Sequence, residues 1–326
     1  MNQDSSAPII LITGGTGFAG SHLVELLLGL GQKNVHVTSF GSKNSYVHTL
    51  LPATQVHQVD LTNGQQLSTL LASLKPDQIY HLASFSQVGS SFDQAVKVLE
   101  NNSVLQLNLL ETVKQHAPQA RLLIIGSAQE YDLSRPDLIS GQKLAVDEAW
   151  PLGPNNPYGV SKVVQDLLSL AYHYSHNLKV IRVRPFNHIG ERQTPGFAVA
   201  DFAKQIAEIE RGQPPIIKVG NLQTKRDFTD VKDMVQAYLL LMNKGQVGQV
   251  YNVGSGRSYS IEQVLESLLS LAKQEIKVEQ DQTKYRPLDT AEIIADNKLI
   301  TSLGWRPSIS IQDTLSRVLD YWRKQI

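Results

Sequence analysis

An apolar run that ends in three spaced glycines constrains the fold of this 326-residue chain more than any other feature. Residues 9–13 read Ile-Ile-Leu-Ile-Thr, and Gly14, Gly17 and Gly20 follow, before an apolar stretch at residues 21–28. This pattern predicts a buried strand, a tight turn and an amphipathic helix. Glycine lets the backbone approach a ligand closely, and a helix N-terminus offers N–H groups and a positive dipole end. The turn is therefore predicted to bind a pyrophosphate, although the glycines can also serve packing alone.

Apolar strands and helical segments continue to alternate along the chain. Further strands are predicted at residues 35–40, 55–61, 78–84 and 121–127, with helices at residues 65–74 and 96–116. Such alternation predicts an α/β fold with a Rossmann doubly wound parallel sheet, which binds ligands at the carboxyl ends of its strands. A late strand at Tyr251 is expected to return to this sheet. The predicted domains are a discontinuous dinucleotide-binding Rossmann domain, residues 7–181 plus 229–255, and a smaller, mixed α/β C-terminal substrate lobe, residues 182–228 plus 256–326.

Composition narrows the partners and the chemistry. Thirty basic and thirty acidic side chains cancel, so net charge favours neither nucleic acid nor an anionic membrane as a partner. The sequence has no cysteine, which excludes disulfides, thiolate metal sites and cysteine nucleophiles and agrees with a reducing compartment. Residues 1–6 lack the regions of a signal peptide, and no apolar run is long enough to span a bilayer. We expect a soluble, cytoplasmic protein that binds small molecules and no metal.

The end of the second predicted strand bears on the choice of dinucleotide. A ribose-binding acid usually follows this strand, but Ser39, Phe40 and Gly41 stand there, with Lys43 just beyond. This neutral site leaves room for a 2′-phosphate that Lys43 would contact. A solvated loop lysine is the alternative, so NAD and NADP both remain open. Asp60, at the end of the third strand, is predicted either to hold the adenine through its loop or to cap the next turn.

Polar residues follow the fourth strand and begin the long helix after it. Ser86 and Gln87 fall at the expected ligand edge of the sheet and are predicted to meet the substrate, with a loop that faces water as the alternative. Asparagine lowers helix propensity. Asn102 is therefore predicted to bind backbone or active-site water, unless it lies in an exposed first turn.

A tyrosine and a lysine four residues apart carry the predicted chemistry. A proline precedes Tyr158, which suits the start of a helix and places Tyr158 and Lys162 on one face. The Lys162 ammonium is expected to lower the pKa of the phenol from about 10 toward neutrality. Ser127, at the end of the fifth strand, is expected to hydrogen-bond the same reacting oxygen. A hydroxyl, a phenol and an ammonium would then surround one carbonyl.

With the glycine turn and this Tyr-x-x-x-Lys motif, the chain resembles an extended short-chain dehydrogenase/reductase over nearly its whole length. The resemblance is to the nucleotide-sugar epimerase, dehydratase and reductase group, also called the NAD-dependent epimerase/dehydratase family. It implies that Ser127, Tyr158 and Lys162 form a catalytic triad, that NADP or NAD is the cofactor, and that the two long helices form a homodimer. The residues expected to bind the cofactor are Gly14, Gly17, Phe18, Ala19, Gly20, Ser39, Lys43, Asp60, Leu61, Leu82, Ala83, Asn102, Tyr158 and Lys162.

The second half of the chain is similar to the nucleotide-diphosphate clamp of GDP-sugar enzymes, especially the reductases of GDP-linked 4-keto-6-deoxymannose. By that resemblance Asn187 meets the sugar diphosphate and Lys204 lines the nucleotide pocket. Arg226 and Arg286 would hold phosphates, for which the guanidinium fork is well shaped. Solvated surface side chains are the alternative for these basic residues. The chain departs from the wider group at Glu191, where a proline often follows the glycine.

The residue two positions after Ser127 separates the possible reactions. Sugar 4,6-dehydratases of this group place an acid there to remove a proton, whereas this chain has Gln129, and an amide cannot accept that proton. Glu130 is expected to be structural, because on an extended backbone it would face away from Gln129. The favoured function is NAD(P)H-dependent reduction of a nucleotide-linked 4-keto-6-deoxyhexose, with GDP as the nucleotide, in deoxysugar biosynthesis. An epimerase that retains NAD is the main alternative, ahead of a 4,6-dehydratase or a non-enzymatic NAD(P)-sensing module.

Overall fold

The computed structural model describes residues 7–41, 45–86, 91–133, 144–282 and 292–326. Contacts divide the chain into two compact units. The first unit takes in Met1–Glu130, Asn156–Arg184 and Val235–Tyr251, and the second takes in Tyr131–Asn155, Pro185–Met234 and Asn252–Ile326.

Strands and helices alternate through most of the chain. The strands are β1 (Ile10–Thr13), β2 (Val35–Ser39), β3 (Val56–Gln58), β4 (Gln78–His81), β5 (Arg121–Ile125), β6 (Leu144–Val146), β7 (Lys179–Pro185), β8 (Asn187–Ile189), β9 (Ile216–Val219), β10 (Lys225–Asp230), β11 (Val250–Val253), β12 (Ser258–Ser260), β13 (Lys277–Gln280) and β14 (Ile293–Ala295). The α-helices are α1 (Phe18–Gly29), α2 (Gly64–Leu74), α3 (Ala95–His116), α4 (Pro157–His176), α5 (Ala198–Glu210), α6 (Val231–Lys244), α7 (Ile261–Leu269), α8 (Lys298–Ser302) and α9 (Ile311–Gln325). Across the described ranges, each helix is too short or too polar to cross a bilayer.

The first unit is built on a sheet with the strand order β11-β7-β5-β4-β1-β2-β3. The pairings that link β3 to β7 are parallel. The order reverses at β1, which has β2 on one side and β4 on the other. Doubly wound sheets bind ligands at the carboxyl ends of the strands beside such a reversal. The predicted Rossmann sheet is therefore confirmed, and its ligand edge lies at the ends of β1 and β4.

Continuous apolar runs place the central strands of this sheet in the core. All residues of β1 are buried. Leu11, Ile79 and Leu122, from three neighbouring strands, share one apolar cluster with Leu105 and Leu109 of α3. Strands that are covered by helices on both faces have this composition, and the glycines at their ends mark where the chain turns.

The second unit packs helices on small sheets. Its three-stranded sheet has the order β12-β10-β8, and two-stranded sheets pair β13 with β9 and β14 with β6. Helices α5, α7 and α9 contribute Phe202, Leu265 and Leu315 to one apolar cluster, to which β8 and β10 add Ile189 and Phe228. In α9 the buried residues recur at helical spacing, which explains why a helix with polar residues on its other face packs here.

Several segments group differently from the predicted division, and the longest of them is residues 131–155. Residues 131–155 belong to the second unit by their contacts, whereas the prediction places them in the dinucleotide-binding domain. The reason is long-range pairing, because β6 pairs with β14, a strand of the second unit. Residues 182–184 group with the first unit, and residues 229–234 and 252–255 group with the second, each against its predicted assignment. The predicted domain bounds stay a prediction.

Candidate active site

The glycine turn after β1 is closely packed. Gly14 has a φ of +68°, and a Cβ there would lie 2.9 Å from Cα of Ala83. A Cβ on Gly20 would lie 2.3 Å from the carbonyl oxygen of Gly14. Helix α1 begins at Phe18 without a side-chain cap on its N-cap residue, Gly17. The glycines thus allow the backbone to pack closely at the turn. This packing leaves the uncapped N-terminus of α1, which fits a pyrophosphate.

The ends of β2 and β3 hold two more of the predicted cofactor residues. Ser39 is buried, and its Oγ accepts a hydrogen bond from Oγ1 of Thr16 at 3.5 Å. The carboxylate of Asp60 accepts from the N–H and the hydroxyl of Thr62 at 2.9 and 2.7 Å. The side chain of Asp60 therefore caps a turn, which was one of its two predicted roles. Lys43 lies outside the described residues.

Asn102 joins the loop after β4 to helix α4. It is fully buried, and its Oδ1 accepts from the N–H of Phe85 at 2.7 Å. Its Nδ2 donates to the carbonyl oxygen of Phe85 at 3.2 Å and to Oγ of Ser161 at 2.9 Å. The predicted backbone hydrogen bond is present, and the alternative of an exposed first turn is wrong. Ser86, next to Phe85, is exposed, and Gln87 lies outside the described residues.

A capped N-terminus fixes the start of α4. Asn156 is the N-cap residue, and its Oδ1 accepts from the N–H of Gly159 at 2.8 Å. Pro157 occupies the first helical position, where its missing N–H costs nothing. The helix therefore begins just before Tyr158, as predicted.

The structure brings the three predicted catalytic side chains into one buried group. Tyr158 and Lys162 are 8% and 3% exposed, and the phenol of Tyr158 is hydrogen-bonded with Ser127. Nζ of Lys162 donates to the carbonyl oxygen of Ile125 at 2.8 Å. It lies 5.9 Å from the ring centroid of Tyr158. One hydroxyl, one phenol and one ammonium can thus act on the same small group.

Burial sets the protonation of this group. Burial raises the pKa of Tyr158 above its ordinary value, the hydrogen bond with Ser127 opposes the rise, and the carboxylate of Glu130 adds to it. The expected lowering of this pKa is therefore wrong, because the loss of water around the phenol outweighs other effects. Burial also lowers the pKa of Lys162 to about 8, against the attraction of Glu130. At neutral pH the phenol keeps its proton.

Glu130 connects this group to a buried network of charges. It lies in a short 3-10 helix, Ala128–Glu130, rather than on the expected extended backbone. Its carboxylate accepts from the N–H of Ser127 at 2.7 Å and from Nε of Arg184 at 2.9 Å. Nε of Arg184 also donates to Asp166 at 3.0 Å, and Arg182 donates to the same carboxylate at 2.6 Å. Glu130 is thus structural, and its charge acts on the catalytic group.

The partners of Glu130 were not predicted from the sequence. Arg182 and Arg184 alternate in a buried strand, and a buried guanidinium requires an acid partner. That signal calls for an acid without identifying it, and in the structure the acid is Asp166, which lies one turn after Lys162 on α4. Tyr238 was also missed. Its hydroxyl is buried, has no hydrogen-bond partner in the part of the chain that the structure describes, and interacts electrostatically with Tyr158.

The predicted substrate residues of the second unit lie on separate elements. Asn187 in β8 stands opposite Phe228 in the parallel strand β10. Arg226 lies two residues before Phe228, so Asn187 and Arg226 occupy the same face of this sheet. Lys204 lies on α5, with its Nζ 3.5 Å from a glutamate one turn later. Arg286 lies outside the described residues.

Glu191, the departure from the group's proline, has a specific structural role. Its carboxylate lies 3.1 Å from Nζ of Lys232 and 3.1 Å from Nε of Arg317. The loop after β8 is thereby joined to the first turn of α6 and to α9.

The doubly wound sheet, the glycine turn and the buried Ser127, Tyr158 and Lys162 define a protein of the short-chain dehydrogenase/reductase class. A model of the family described as GDP-mannose 4,6 dehydratase matches residues 11–318, and the chain belongs to that family.

Individual relatives within this class differ in their reactions. The chain is 32% identical to the GDP-6-deoxy-D-mannose reductase of Pseudomonas aeruginosa, over 97% of this chain and 98% of the relative. It is 27% identical to human GDP-mannose 4,6 dehydratase, over 95% and 90% of the two chains. Among solved structures, RMD from Pseudomonas aeruginosa complexed with NADPH has a TM-score of 0.81 at 30% identity, with 97% of this chain and 99% of that chain covered. The UDP-glucose 4-epimerase of Thermus thermophilus in complex with NAD has a TM-score of 0.84 at 26% identity, with the same coverage.

Proposed function

We propose that the protein reduces a GDP-linked 4-keto-6-deoxyhexose with NADPH or NADH, as a step in deoxysugar biosynthesis. The observation that carries this proposal is the buried Tyr158 phenol, which is hydrogen-bonded with Ser127 and has a raised pKa. Reduction of a carbonyl requires a proton for its oxygen, and this phenol holds one at neutral pH. The 32% identity to a GDP-6-deoxy-D-mannose reductase supports the choice of substrate.

Each member of the triad has its own part in this reaction. Oγ of Ser127 accepts from the N–H of Gln129 at 3.1 Å, so its O–H is left to donate to the substrate oxygen or to Tyr158. Tyr158 gives its proton to that oxygen, and C=O becomes C–OH. When bound, the reduced nicotinamide supplies the hydride for the carbonyl carbon. The Lys162 ammonium stabilises the phenolate that remains, until a proton from water restores the phenol.

The cofactor is proposed to lie along the ligand edge of the sheet. The glycine turn and the start of α1 would hold its pyrophosphate. The described cofactor residues assigned from the sequence are proposed to line the rest of this site. The position after β2 has no acid to repel a 2′-phosphate. Together with the NADPH in the Pseudomonas structure, this supports NADPH over NADH.

The proposed function is tested by screening substrates with the purified protein. GDP-, dTDP-, UDP- and CDP-linked 4-keto-6-deoxy sugars are mixed with NADPH or NADH, and absorbance at the reduced nicotinamide band is followed while the product is identified by NMR. We expect oxidation of NADPH with the GDP-linked sugar. An absence of oxidation with every sugar would contradict the proposal.

Replacement of Tyr158 by Phe removes the proton that the mechanism requires. We expect turnover to fall by about 10² to 10⁴-fold, with binding of the nucleotide sugar nearly unchanged. Tyr238→Phe is a matched control, since it removes the same hydroxyl from a neighbouring buried tyrosine whose oxygen has no described partner. An equal loss in both variants would remove Tyr158 from its assigned role.

An epimerase remains the second candidate, because the Thermus UDP-glucose 4-epimerase has a high TM-score to this chain. Such an enzyme returns the hydride to its substrate and consumes no net NADPH. The two functions are separated by the stoichiometry of NADPH oxidation per sugar converted. One equivalent supports the reductase, and conversion without oxidation supports the epimerase.

Asn187, Lys204, Arg226 and Arg286 are proposed to bind the GDP-diphosphate portion of the substrate. Asn187 and Arg226 share a face of the β12-β10-β8 sheet, which supports joint contact with one phosphate-bearing ligand. Arg226→Met is expected to raise the KM for the GDP-sugar by about tenfold or more and to leave the KM for NADPH unchanged.

A homodimer formed by α3 and α4 is also proposed. Large apolar side chains are exposed on both helices: Val104 and Leu107 at 41% and 42%, and Val160 and Leu167 at 38% and 48%. Apolar surface of this kind, spread along two packed helices, suits an isologous interface. Leu167→Glu is expected to convert the dimer to a monomer in light scattering, whereas Leu30→Glu, at a leucine that lies outside these helices and is 58% exposed, should not. The cytoplasmic location stays a prediction, which cell fractionation tests.

A further inference from the structure

The amide of Gln129 has a fixed orientation, which follows from the donors and acceptors around it. The backbone N–H of Gly159 can only donate, so the atom of Asn156 that it meets at 2.8 Å must be the oxygen. The other terminal atom of Asn156 is then its NH₂ group. This group donates to Gln129 at 3.0 Å, so the atom of Gln129 that it meets must also be an oxygen. The backbone N–H of Gly159 therefore fixes which terminal atom of each side-chain amide is the oxygen and which is the nitrogen.

The same amide lies within a ring of contacts around the catalytic group. The N–H of Gln129 donates to Oγ of Ser127 at 3.1 Å, and Ser127 is hydrogen-bonded with Tyr158. Asn156, which holds the Gln129 side chain, is the N-cap residue of the helix that carries Tyr158. Gln129 therefore lies beside the proton donor, with its backbone bound to one side of the group and its side chain to the other.

The Nε2 of Gln129 is the unused end of this amide. No partner for it is present among the residues that the structure describes, and the side chain is half-buried rather than exposed. A partly desolvated NH₂ group in this position offers hydrogen bonds to an oxygen and none to a donor.

We propose that Gln129 is a specificity-determining residue that donates a hydrogen bond from Nε2 to a sugar oxygen beside the reacting carbonyl. This inference rests on the proposed function, because it takes the sugar to bind next to Tyr158. Gln129 then acts as a hydrogen-bond donor to the sugar, in addition to lacking the carboxylate that would serve as a base at this position. A carboxylate there would still accept from Asn156, but its second oxygen would face the sugar as an acceptor or a base.

Three variants separate this role from a structural one. Gln129→Met removes the donor at nearly constant volume. Gln129→Glu keeps the hydrogen bond from Asn156 and replaces the donor by an acceptor. Asn156→Asp keeps the cap on Gly159 but presents an acceptor to Gln129, which must then turn its NH₂ group toward Asp and its oxygen toward the sugar.

The measurement is calorimetric binding of GDP-4-keto-6-deoxymannose with NADP⁺ present, so that no turnover occurs, with GDP as the reference ligand. We expect Gln129→Met and Asn156→Asp to weaken binding of the keto sugar about tenfold and Gln129→Glu to weaken it further, with GDP binding unchanged. Unfolding midpoints and NADPH binding establish that each variant is folded.

Other outcomes overturn the inference in distinguishable ways. Wild-type affinity in Gln129→Glu would show that the residue serves only to hold Asn156. Equal losses for GDP and the keto sugar would show a general distortion of the site. A wild-type protein that binds GDP no more weakly than the keto sugar, or binds neither, would contradict the proposed function itself and the inference with it.

Discussion

Two buried carboxylates, one in each unit, are stabilised by different partners. Glu130 and Asp227 are 0% and 1% exposed, and burial raises the pKa of both. Glu130 is bound by Arg184 and by one backbone N–H, and it shares a hydrogen bond with the carboxyl group of Asp166. Asp227 is bound by neutral donors: the N–H and hydroxyl of Ser255, and the N–H groups of Gly256 and Ala295, at 2.6 to 3.0 Å.

The difference shows what each carboxylate does. The hydrogen bonds of Asp227 join β10 to β14 and to the turn after β11, so its role is to connect segments that are distant in sequence. When ionised, the carboxylate of Glu130 also acts on its neighbours, where it raises the pKa of both Tyr158 and Lys162. A carboxylate with an arginine partner beside a catalytic group therefore influences protonation, whereas one held by neutral donors serves the fold.

Glu130→Ala is expected to cause the largest loss of stability. It leaves the Arg184 guanidinium with one buried acid fewer and the N–H of Ser127 without its acceptor, and breaking a buried ion pair in this way costs about 3 to 5 kcal/mol. Urea denaturation measures the change. Glu130→Gln keeps an acceptor for Ser127 and should lose less. A loss below about 1 kcal/mol in the alanine variant would show that the network contributes little.

Asp227→Asn is expected to cost less, about 2 to 3 kcal/mol, because it leaves no opposite charge unpaired and only places an NH₂ group against donors. The same denaturation experiment compares it directly with Glu130→Ala. Asp233→Asn is a related control, since Asp233 also accepts backbone N–H groups, from Ser308 and Ile309, at 2.9 Å. If Asp227→Asn were the more harmful change, the distinction between charged and neutral partners would fail.

The sequence predicted the elements of the fold better than the networks that join them. Hydrophobic periodicity and the glycine turn are local signals, and they located β1, α1, α3 and the start of α4 to within a few residues. The third strand is shorter than predicted, at Val56–Gln58. The 3-10 turn at Ala128–Glu130 was expected to be extended. Residues near the end of a strand take their conformation from tertiary contacts, here the buried bond between Glu130 and the N–H of Ser127.

In the candidate site, too, local sequence patterns predicted the positions of side chains but not their contacts with residues distant in sequence. Spacing alone placed Tyr158 and Lys162 on one helix face, and the order of strands brought Ser127 to them. The partners of Glu130 come from positions 36 and 54 residues farther along the chain, which no local pattern connects. The direction of the Tyr158 pKa shift was wrong for the same reason: proximity of a cation follows from sequence spacing, whereas the extent of desolvation depends on the packed structure.

Lys162→Met is expected to stabilise the protein while it abolishes reduction. Burial lowers the pKa of Lys162 from 10.5 to about 8, which corresponds to about 3 kcal/mol of destabilisation of the wild type at pH 7. The variant is free of this destabilisation, but it loses the hydrogen bond to Ile125, which costs about 1 kcal/mol. The net gain is about 2 kcal/mol. Between pH 8 and 10.5 Lys162 is protonated in the unfolded chain but largely neutral in the folded protein, so the stability of the wild type rises with pH in this range. Unfolding at pH 7 and 10 should show this rise in the wild type and its absence in Lys162→Met.

Lys232→Met is expected to have the smallest effect, and it extends the comparison to a carboxylate near solvent. Glu191 is 17% exposed and Lys232 is 42% exposed. Burial acts to raise the pKa of Glu191, but hydrogen bonds from the backbone and Lys232, with the charges of Lys232 and Arg317, lower it overall. Water screens an exposed partner, so loss of Lys232 should cost no more than about 0.5 kcal/mol.

Glu191→Gln, measured alongside at pH 7, should cost more, because it removes both ion pairs and leaves Arg317 with Asp230 alone. The difference between these variants should vanish as the pH falls below the ordinary carboxyl range, since a lowered pKa contributes stability only while the carboxyl is ionised. A Lys232→Met loss as large as that of Asp227→Asn would mean that exposure does not decide the strength of a carboxylate's partners in this protein.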